Sequence, residues 1–194
     1  MTQAADLVQI LPYQQTADRV RRDIAMLMHR VWPDLPPPGE VVPDEHDPSL
    51  AALSCFIYRN DKLVSYAAVV HLLLTHTSQT FRMAALSCVA TDPAFQQQGL
   101  GRLTVQAATR CIEYSHADLG LFTCDPPLAA FYEKAGWPSV QGIEVLGSLE
   151  AGALSSTTLG KAVLLRLLSP HARAHAAAFS NTTLSLGLPV GQFI

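Results

Sequence analysis

The sequence predicts an α+β fold, and three observations carry that expectation. Val- and Leu-rich runs at residues 52–59, 62–74 and 81–91 follow one another with short polar turns between them, the pattern of successive strands. Residues 16–32 place Val20, Ile24, Leu27, Met28 and Val31 on one helical face. The apolar run from Ala84 to Thr91 leads into Gln96-Gln97-Gln98-Gly99-Leu100-Gly101-Arg102, which opens an amphipathic helix. A glycine-bearing turn between strand and helix exposes consecutive backbone N–H groups, and the helix N-terminus adds partial positive charge. That turn is a candidate phosphate cradle.

The elements follow in order. Residues 1–12, with Leu7, Val8, Ile10 and Leu11, read as an initial strand, and residues 16–32 as the first helix. Prolines at 33, 36, 37, 38, 43 and 48 make Trp32–Ser49 a loop, because proline removes donors and forbids helix. Two strands, 52–59 and 62–74, meet at an Asn60-Asp61 turn, and a third, 81–91, follows the polar stretch from His76 to Gln79. After the glycine turn, Leu100, Leu103, Ala107, Cys111 and Ile112 line one face of a helix that runs to about Ser115. Leu119–Thr123 is a short buried strand. Pro126-Pro127 starts a helix with Leu128, Phe131, Tyr132 and Ala135 on its inner face, and Gly136 ends it in a left-handed cap. Residues 140–147 and 161–168 are strands. The tail holds a short helix, His171 to Phe179, and a last strand, Thr183 to Val190.

Composition narrows the function classes. A chain of 194 residues, 49% hydrophobic and 15% charged, is one globular domain with a tail, long enough to bury about 70% of its unfolded surface. The domain is expected to span 1–168, and 169–194 to be a C-terminal extension. A net charge of −3 offers no basic field to nucleic acid. Cys55, Cys88, Cys111 and Cys124 form no Cys-x-x-Cys pair, which fits reduced structural thiols in a cytoplasmic protein. No signal peptide and no apolar run of membrane-spanning length is visible, so no membrane partner is expected.

The glycine turn is not a Walker A loop, because no Gly-Lys-Ser/Thr follows. Nor is it a dinucleotide fingerprint, since Thr104 stands where the third glycine belongs. The downstream segment Phe131-Tyr132-Glu133-Lys134-Ala135-Gly136-Trp137 supplies the missing context. Together with Gln96-Gln97-Gln98-Gly99-Leu100-Gly101, it resembles the GNAT superfamily of acyl-CoA-dependent N-acyltransferases over roughly residues 5 to 168. The resemblance implies a mixed, mostly antiparallel central sheet, splayed at the coenzyme site and flanked by helices. It implies that backbone groups of Val89, Ala90 and Thr91 pair with the pantetheine arm and supply the oxyanion contact. It also implies that Gln96, Gln97, Gln98, Gly99, Leu100, Gly101 and Arg102 hold the pyrophosphate, and that Tyr132 stands near the thioester sulfur. A phenol is a competent acid for a leaving thiolate within hydrogen-bond reach.

Two positions depart from the family pattern. Asp125 stands where the family commonly has an asparagine that contacts pantetheine. The strand before the cradle offers only Ser87 and Cys88 where a carboxylate base or relay is often found. The base is then a water chain, His76 or solvent. The resemblance extends to the aminoglycoside 2′-N-acetyltransferase branch, although the strand carboxylate of that branch falls at Ser87 here.

Other residues carry blander readings. His171 and His175 have metal-ligand spacing but no third ligand, so an exposed helix face is expected and no metal. His71 is assigned no role, Lys134 is solvated, and Cys124 is a small buried residue rather than a nucleophile. The Trp32–Ser49 loop carries Asp34, Glu40, Asp44, Glu45 and Asp47 with no lysine or arginine. Read as solvated, it is a linker; read as bordering the acceptor, it would steer a cationic amine. The apolar ending, Leu188, Pro189, Val190, Phe193 and Ile194, is expected against the body or at a homodimer interface. The expected activity is acetyl-CoA-dependent transfer of an acetyl group directly to a primary amine of a small molecule, a lysine or an N-terminus, with Tyr132 as general acid. The alternative is a non-catalytic acyl-CoA-binding sensor.

Overall fold

The computed structural model describes residues 6–35, 37–39 and 44–194. In chain order the regular elements are β1 (Gln9–Pro12), α1 (Asp18–Val31), β2 (Leu53–Arg59), β3 (Lys62–His76), β4 (Gln79–Thr91), α2 (Leu100–Tyr114), β5 (Leu119–Cys124), α3 (Ala129–Glu133), β6 (Ser139–Val140), β7 (Ile143–Leu146), β8 (Ala162–Leu167), α4 (Pro170–Ala174) and β9 (Thr182–Ser185). Seven strands form one sheet in the order β1-β2-β3-β4-β5-β8-β6, and β7 and β9 pair in a second. The hairpin turns have the chemistry the strands require. Asn60 and Asp61 (φ 49° and 58°), like Thr77 and Ser78 (47° and 62°), take the left-handed backbone that matches strand twist. The sheet is mixed: β1-β2, β2-β3, β5-β8 and β6-β8 are antiparallel, while β4 and β5 are parallel. The β4-β5 register holds only Met83↔Leu119 and Ala84↔Gly120 and then stops.

Contacts divide the chain into two compact units: residues up to Val70 with Leu86–Arg110, and His71–Ala85 with Cys111–Ile194. In the first, α1 buries Ile24, Leu27 and Met28, the inner positions of its apolar face. Ile57, Val64 and Leu100 form a buried cluster on which Val8, Phe95 and Leu103 pack, so the start of α2 is fixed by its own first leucine. Asp92 organises this unit. Its side chain is 3% exposed and ion-pairs with Arg30 of α1 (2.7 Å) and Lys62 of β3 (2.8 Å). Its Oδ1 accepts from Ala94 N–H at 3.0 Å, and its own N–H donates to Val64 O at 2.9 Å. Burial pushes the carboxyl up, but Lys62, the Ala94 N–H and Arg30 more than offset this, leaving it below the usual carboxylate value.

In the second unit, β5 pairs with β8 from Leu119↔Leu167 to Cys124↔Ala162, and β6 joins the far side of β8. Trp137 is fully buried, and its ring lies so close to β5 that a Cβ on Gly120 would meet it at 2.6 Å. The tail packs within this unit. Ala172, Phe179, Leu184, Leu186 and Leu188 are buried, and Thr123 Oγ1 donates to Ile194 O at 2.8 Å.

Several elements are shorter or more broken than their sequence patterns. The strand expected over 1–12 is regular only in exposed β1, and residues 1–5 lie outside the described residues. The strand expected over 140–147 is two strands in two sheets, divided where Gly142 takes φ +76°. The helix expected at 171–179 is α4 plus a 3-10 turn, Ala176–Phe179. The last strand ends at Ser185, before Gly187 (φ +67°) and Pro189. Leu128 is 47% exposed rather than on the inner face with Tyr132. Pro126–Leu128 is a 3-10 turn, and its tighter period breaks the four-residue register with Tyr132. Among the described residues no helix is long and apolar enough to cross a membrane.

Replacing Asp92 by Asn leaves two cations without their shared carboxylate. Asp92→Asn is expected to lower unfolding free energy in urea by about 2–3 kcal/mol at pH 7. Because the folded-state pKa is depressed, the wild-type advantage is present above the unfolded value and is lost as pH falls through the folded one. The two proteins should therefore converge in acid.

Candidate functional site

In the first unit the end of β4 leads through Asp92 and a 3-10 turn, Pro93–Phe95, to the glycine segment. Gln97 (φ +61°) and Gly99 (φ +81°) take left-handed backbone, and an L side chain at 99 would be strained although open space surrounds it. Gln96, Gln97, Gln98 and Gly99 are exposed, while Leu100 is buried. The Leu103 N–H to Gly99 O bond (3.1 Å) closes the first turn, so the N–H groups before it have no acceptor within the helix. Side chains hold the segment open. Arg59 grips Asp6 through two nitrogens (2.7 and 2.6 Å) and reaches Gln98 Oε1 at 2.5 Å. Gln96 Nε2 donates to Thr91 O at 3.2 Å. Thr104, buried, lies 2.8 Å from Ser65 Oγ, which in turn lies 3.1 Å from Thr91 Oγ1. Thr104 thus ties α2 to β3 and β4. Arg102 is exposed at the helix start and Gly101 is half-buried. This is the segment that the sequence predicts as the cradle.

The strand end before it is more open than the middle of β4. Met83 to Leu86 are buried, whereas Ser87, Cys88, Val89 and Thr91 are half-buried and Ala90 is buried. Cys88 takes φ +49°, a strained conformation for a non-glycine residue. Its thiol donates to Glu45 Oε1 at 3.7 Å. Burial first, then the Glu45 carboxylate, push that thiol up to about 12, so Cys88 is a poor nucleophile. Burial raises the Glu45 carboxyl above its ordinary value, and the Cys88 hydrogen bond opposes this only in part. Beside it, His46 Nε2 lies 2.8 Å from Tyr66 Oη, which lies 3.1 Å from Ser54 Oγ, and Glu45 N–H donates to Tyr13 Oη at 2.9 Å. Sequence reasoning named Glu45 only as one loop acid among several. Its partner lies 43 residues away, and no spacing signal marks such a contact.

The other described acids of this loop have partners of their own or are exposed. Asp44 is 3.3 Å from Arg21 of α1, so a cation does compensate it. Asp47 caps its own turn by accepting from Ser49 N–H at 2.8 Å. Asp34 is exposed, and Glu40 lies outside the described residues.

In the second unit Tyr132 sits on α3, which ends in a Schellman arrangement. Trp137 N–H donates to Tyr132 O (3.1 Å), Gly136 N–H donates to Glu133 O (3.0 Å), and Gly136 takes φ +88°. The Tyr132 ring packs edge-on against Phe122 and Phe131, each at 5.0 Å. Burial, then Cys124 and Asp125, raise its pKa well above that of a free phenol. Among the described residues nothing hydrogen-bonds its hydroxyl. Cys124 is buried and pushed up to about 11, chiefly by burial. Asp125 is exposed and paired with Lys161 at 2.5 Å. His76, a candidate base, is instead tied to the tail, with Nε2 2.8 Å from Ala178 O. His171 and His175 meet edge-on, and both rings contact Phe81. Among the described residues no group of side chains is arranged to hold a metal.

Residues 51–138 match the family model described as the acetyltransferase (GNAT) domain. No curated protein matches the chain in sequence. Among solved structures, a GNAT family N-acetyltransferase, YhbS, from Escherichia coli in complex with CoA is similar at TM-score 0.62 and 14% identity, covering 96% of this chain and 93% of that one. An acyl-CoA N-acyltransferase from Pseudomonas aeruginosa is similar at TM-score 0.58 and 16% identity, covering 84% and 99%. The ribosomal-protein-S18-alanine N-acetyltransferase from E. coli gives 0.53 and 16%, covering 84% and 95%. These similarities establish the fold.

His46 yields a stability test. Burial holds its pKa down to about 4, so the unfolded chain binds a proton more readily than the folded one between about pH 4 and 6.5. Unfolding free energy should fall as pH drops through that window. His46→Gln should remove that part of the slope in urea titrations run at several pH values.

Proposed function

We propose, from the match of residues 51–138 to the acetyltransferase (GNAT) domain model, that the protein is an acetyl-CoA-dependent N-acetyltransferase acting on a primary amine. The observation that carries the reading is the braced cradle at 96–102. Its left-handed backbone at Gln97 and Gly99 presents N–H groups to an anion, and buried ties fix it from below. A coenzyme pyrophosphate is an anion of suitable charge for that cradle.

Each residue then has a task. Gln96, Gln97, Gln98, Gly99, Leu100, Gly101 and Arg102 bind the pyrophosphate of coenzyme A. Backbone groups of Val89, Ala90 and Thr91 take the pantetheine arm as a strand would, and an N–H there faces the developing oxyanion. Asp125, at the position of the family's asparagine, meets the pantetheine while Lys161 holds its Oδ1. Tyr132 donates its proton to the leaving thiolate. Burial keeps its phenol neutral, and a neutral phenol is the form that donates. The acceptor is a primary amine of a small molecule, a lysine or an N-terminus, and the transfer is direct.

Calorimetric titration of acetyl-CoA into the wild type and into a Gly99→Val/Gly101→Val variant tests the cradle. Binding by the wild type and its loss in the variant are expected. Tyr132→Phe removes a hydroxyl with no hydrogen-bond partner among the described residues, so folding and coenzyme affinity should hold while turnover falls by about 100-fold. Unchanged turnover would exclude Tyr132 as the acid. Wild type that binds acetyl-CoA yet acetylates no amine would indicate a sensor.

A further inference from the structure

A transferase of amines that are protonated at neutral pH needs a group to remove a proton before the nitrogen attacks. Neither side chain that sequence offers at that point of β4, Ser87 or Cys88, is a base, and the Cys88 thiol is held protonated by burial. The fold brings a carboxylate there from elsewhere. Glu45 comes from the proline-rich loop, keeps part of its side chain accessible, and meets β4 where the strand turns half-exposed. Its Oε1 accepts from Cys88 Sγ at 3.7 Å, and its backbone N–H is pinned by Tyr13 Oη at 2.9 Å. His46, next in sequence, is buried against Tyr66 and Ser54, so the backbone on both sides of the carboxylate is anchored.

We propose that Glu45 is the general base of this enzyme, taking a proton from the ammonium group of the acceptor, with the Cys88 thiol as its positioning partner. The proposal rests on the acetyltransferase reading above. The step balances as follows. The ammonium gives one proton to the Glu45 carboxylate. The freed lone pair forms the C–N bond to the thioester carbon, the C–S bond breaks, and the thiolate takes a proton from the general acid. That acid recovers a proton from the new amide nitrogen, and Glu45 releases its proton to water. The substrate class is a primary amine that arrives as a cation.

The groups facing Glu45 decide its titration. They are Cys88 of β4, Tyr13 of the turn before α1, Tyr66 of β3, and Asp44 and His46 on its own loop; Arg21 of α1 is engaged by Asp44. Burial dominates and raises the Glu45 carboxyl. The acid limb of kcat/KM, which rises as the base deprotonates, should therefore lie above the ordinary carboxylate range.

The test uses the full chain, acetyl-CoA, and spermidine, kanamycin and a lysine peptide as acceptors. Glu45→Gln keeps the shape and an acceptor oxygen. It should bind acetyl-CoA as the wild type does, lower turnover at neutral pH by about 100-fold or more, and recover toward alkaline pH as the amine deprotonates unaided. A merely structural loss would not recover with pH. Cys88→Ala, which removes the thiol that lowers the Glu45 pKa, should move the acid limb upward. Carboxyl NMR of Glu45 should follow the same limb. A wild type that acetylates amines while Glu45→Gln stays within threefold of it, or a Glu45 that titrates in the ordinary range, overturns the proposal alone. A wild type that acetylates none of these amines overturns the transferase reading and this proposal with it.

Discussion

Asp92 is a carboxylate almost wholly withdrawn from water, and the geometry of the cradle depends on what surrounds it. Leaving such a charge unpaired would be expensive, so its position is tolerable only while Arg30, Lys62 and the Ala94 N–H stay on it. Those partners come from α1, the start of β3 and the turn that opens the cradle. One buried anion therefore sets where the helix, the strand and the glycine segment meet. The neighbouring Arg59 does the same work at the surface, tying Asp6 and Gln98 together.

A second buried polar cluster serves the loop before β2. Proline-rich segments have little hydrogen bonding of their own, and this one is held by side chains. His46, Tyr66 and Ser54 are hydrogen-bonded to one another inside the unit, and Tyr13 Oη accepts from Glu45 N–H. Because His46 is buried neutral, the cluster adds no positive charge beside Glu45, and the carboxyl keeps its raised affinity for a proton. Rigidity and basicity thus come from the same packing.

How much of this was legible in the sequence follows from the range of each interaction. The cradle and Phe131–Trp137 are contiguous, and their turn chemistry is local: Gly99 and Gly136 take the left-handed backbone that glycine marks. The fold class followed from hydrophobic periodicity. Thr104 shows the limit. As a residue it only disqualifies a dinucleotide fingerprint, yet its buried hydroxyl locks α2 to Ser65, 39 residues away. Glu45 was equally hidden, since an acid in a proline-rich loop looks solvated until the strand beside it is known. The break at Gly142 escaped for another reason: residues 140–147 are uniformly strand-like, and only the two different partners divide them.

The thiols bear on how the acetyl group travels. A covalent relay needs a thiolate at working pH, which means a microenvironment that lowers the thiol pKa. Here the opposite holds at both cysteines nearest in sequence to the proposed machinery. Cys88 is pushed up to about 12 by burial and by Glu45, and Cys124 to about 11 by burial and by Asp125. A carboxylate beside a thiol disfavours the thiolate, so the pairing that suits Glu45 as a base makes Cys88 unsuitable as an acyl carrier. The thiol's remaining use is as a weak donor that orients the carboxylate without neutralising it. An ammonium or guanidinium in its place would draw the Glu45 pKa down and weaken the base. The proposed mechanism is accordingly direct attack by the amine, with Glu45 held basic by burial rather than a cysteine acting as acyl carrier.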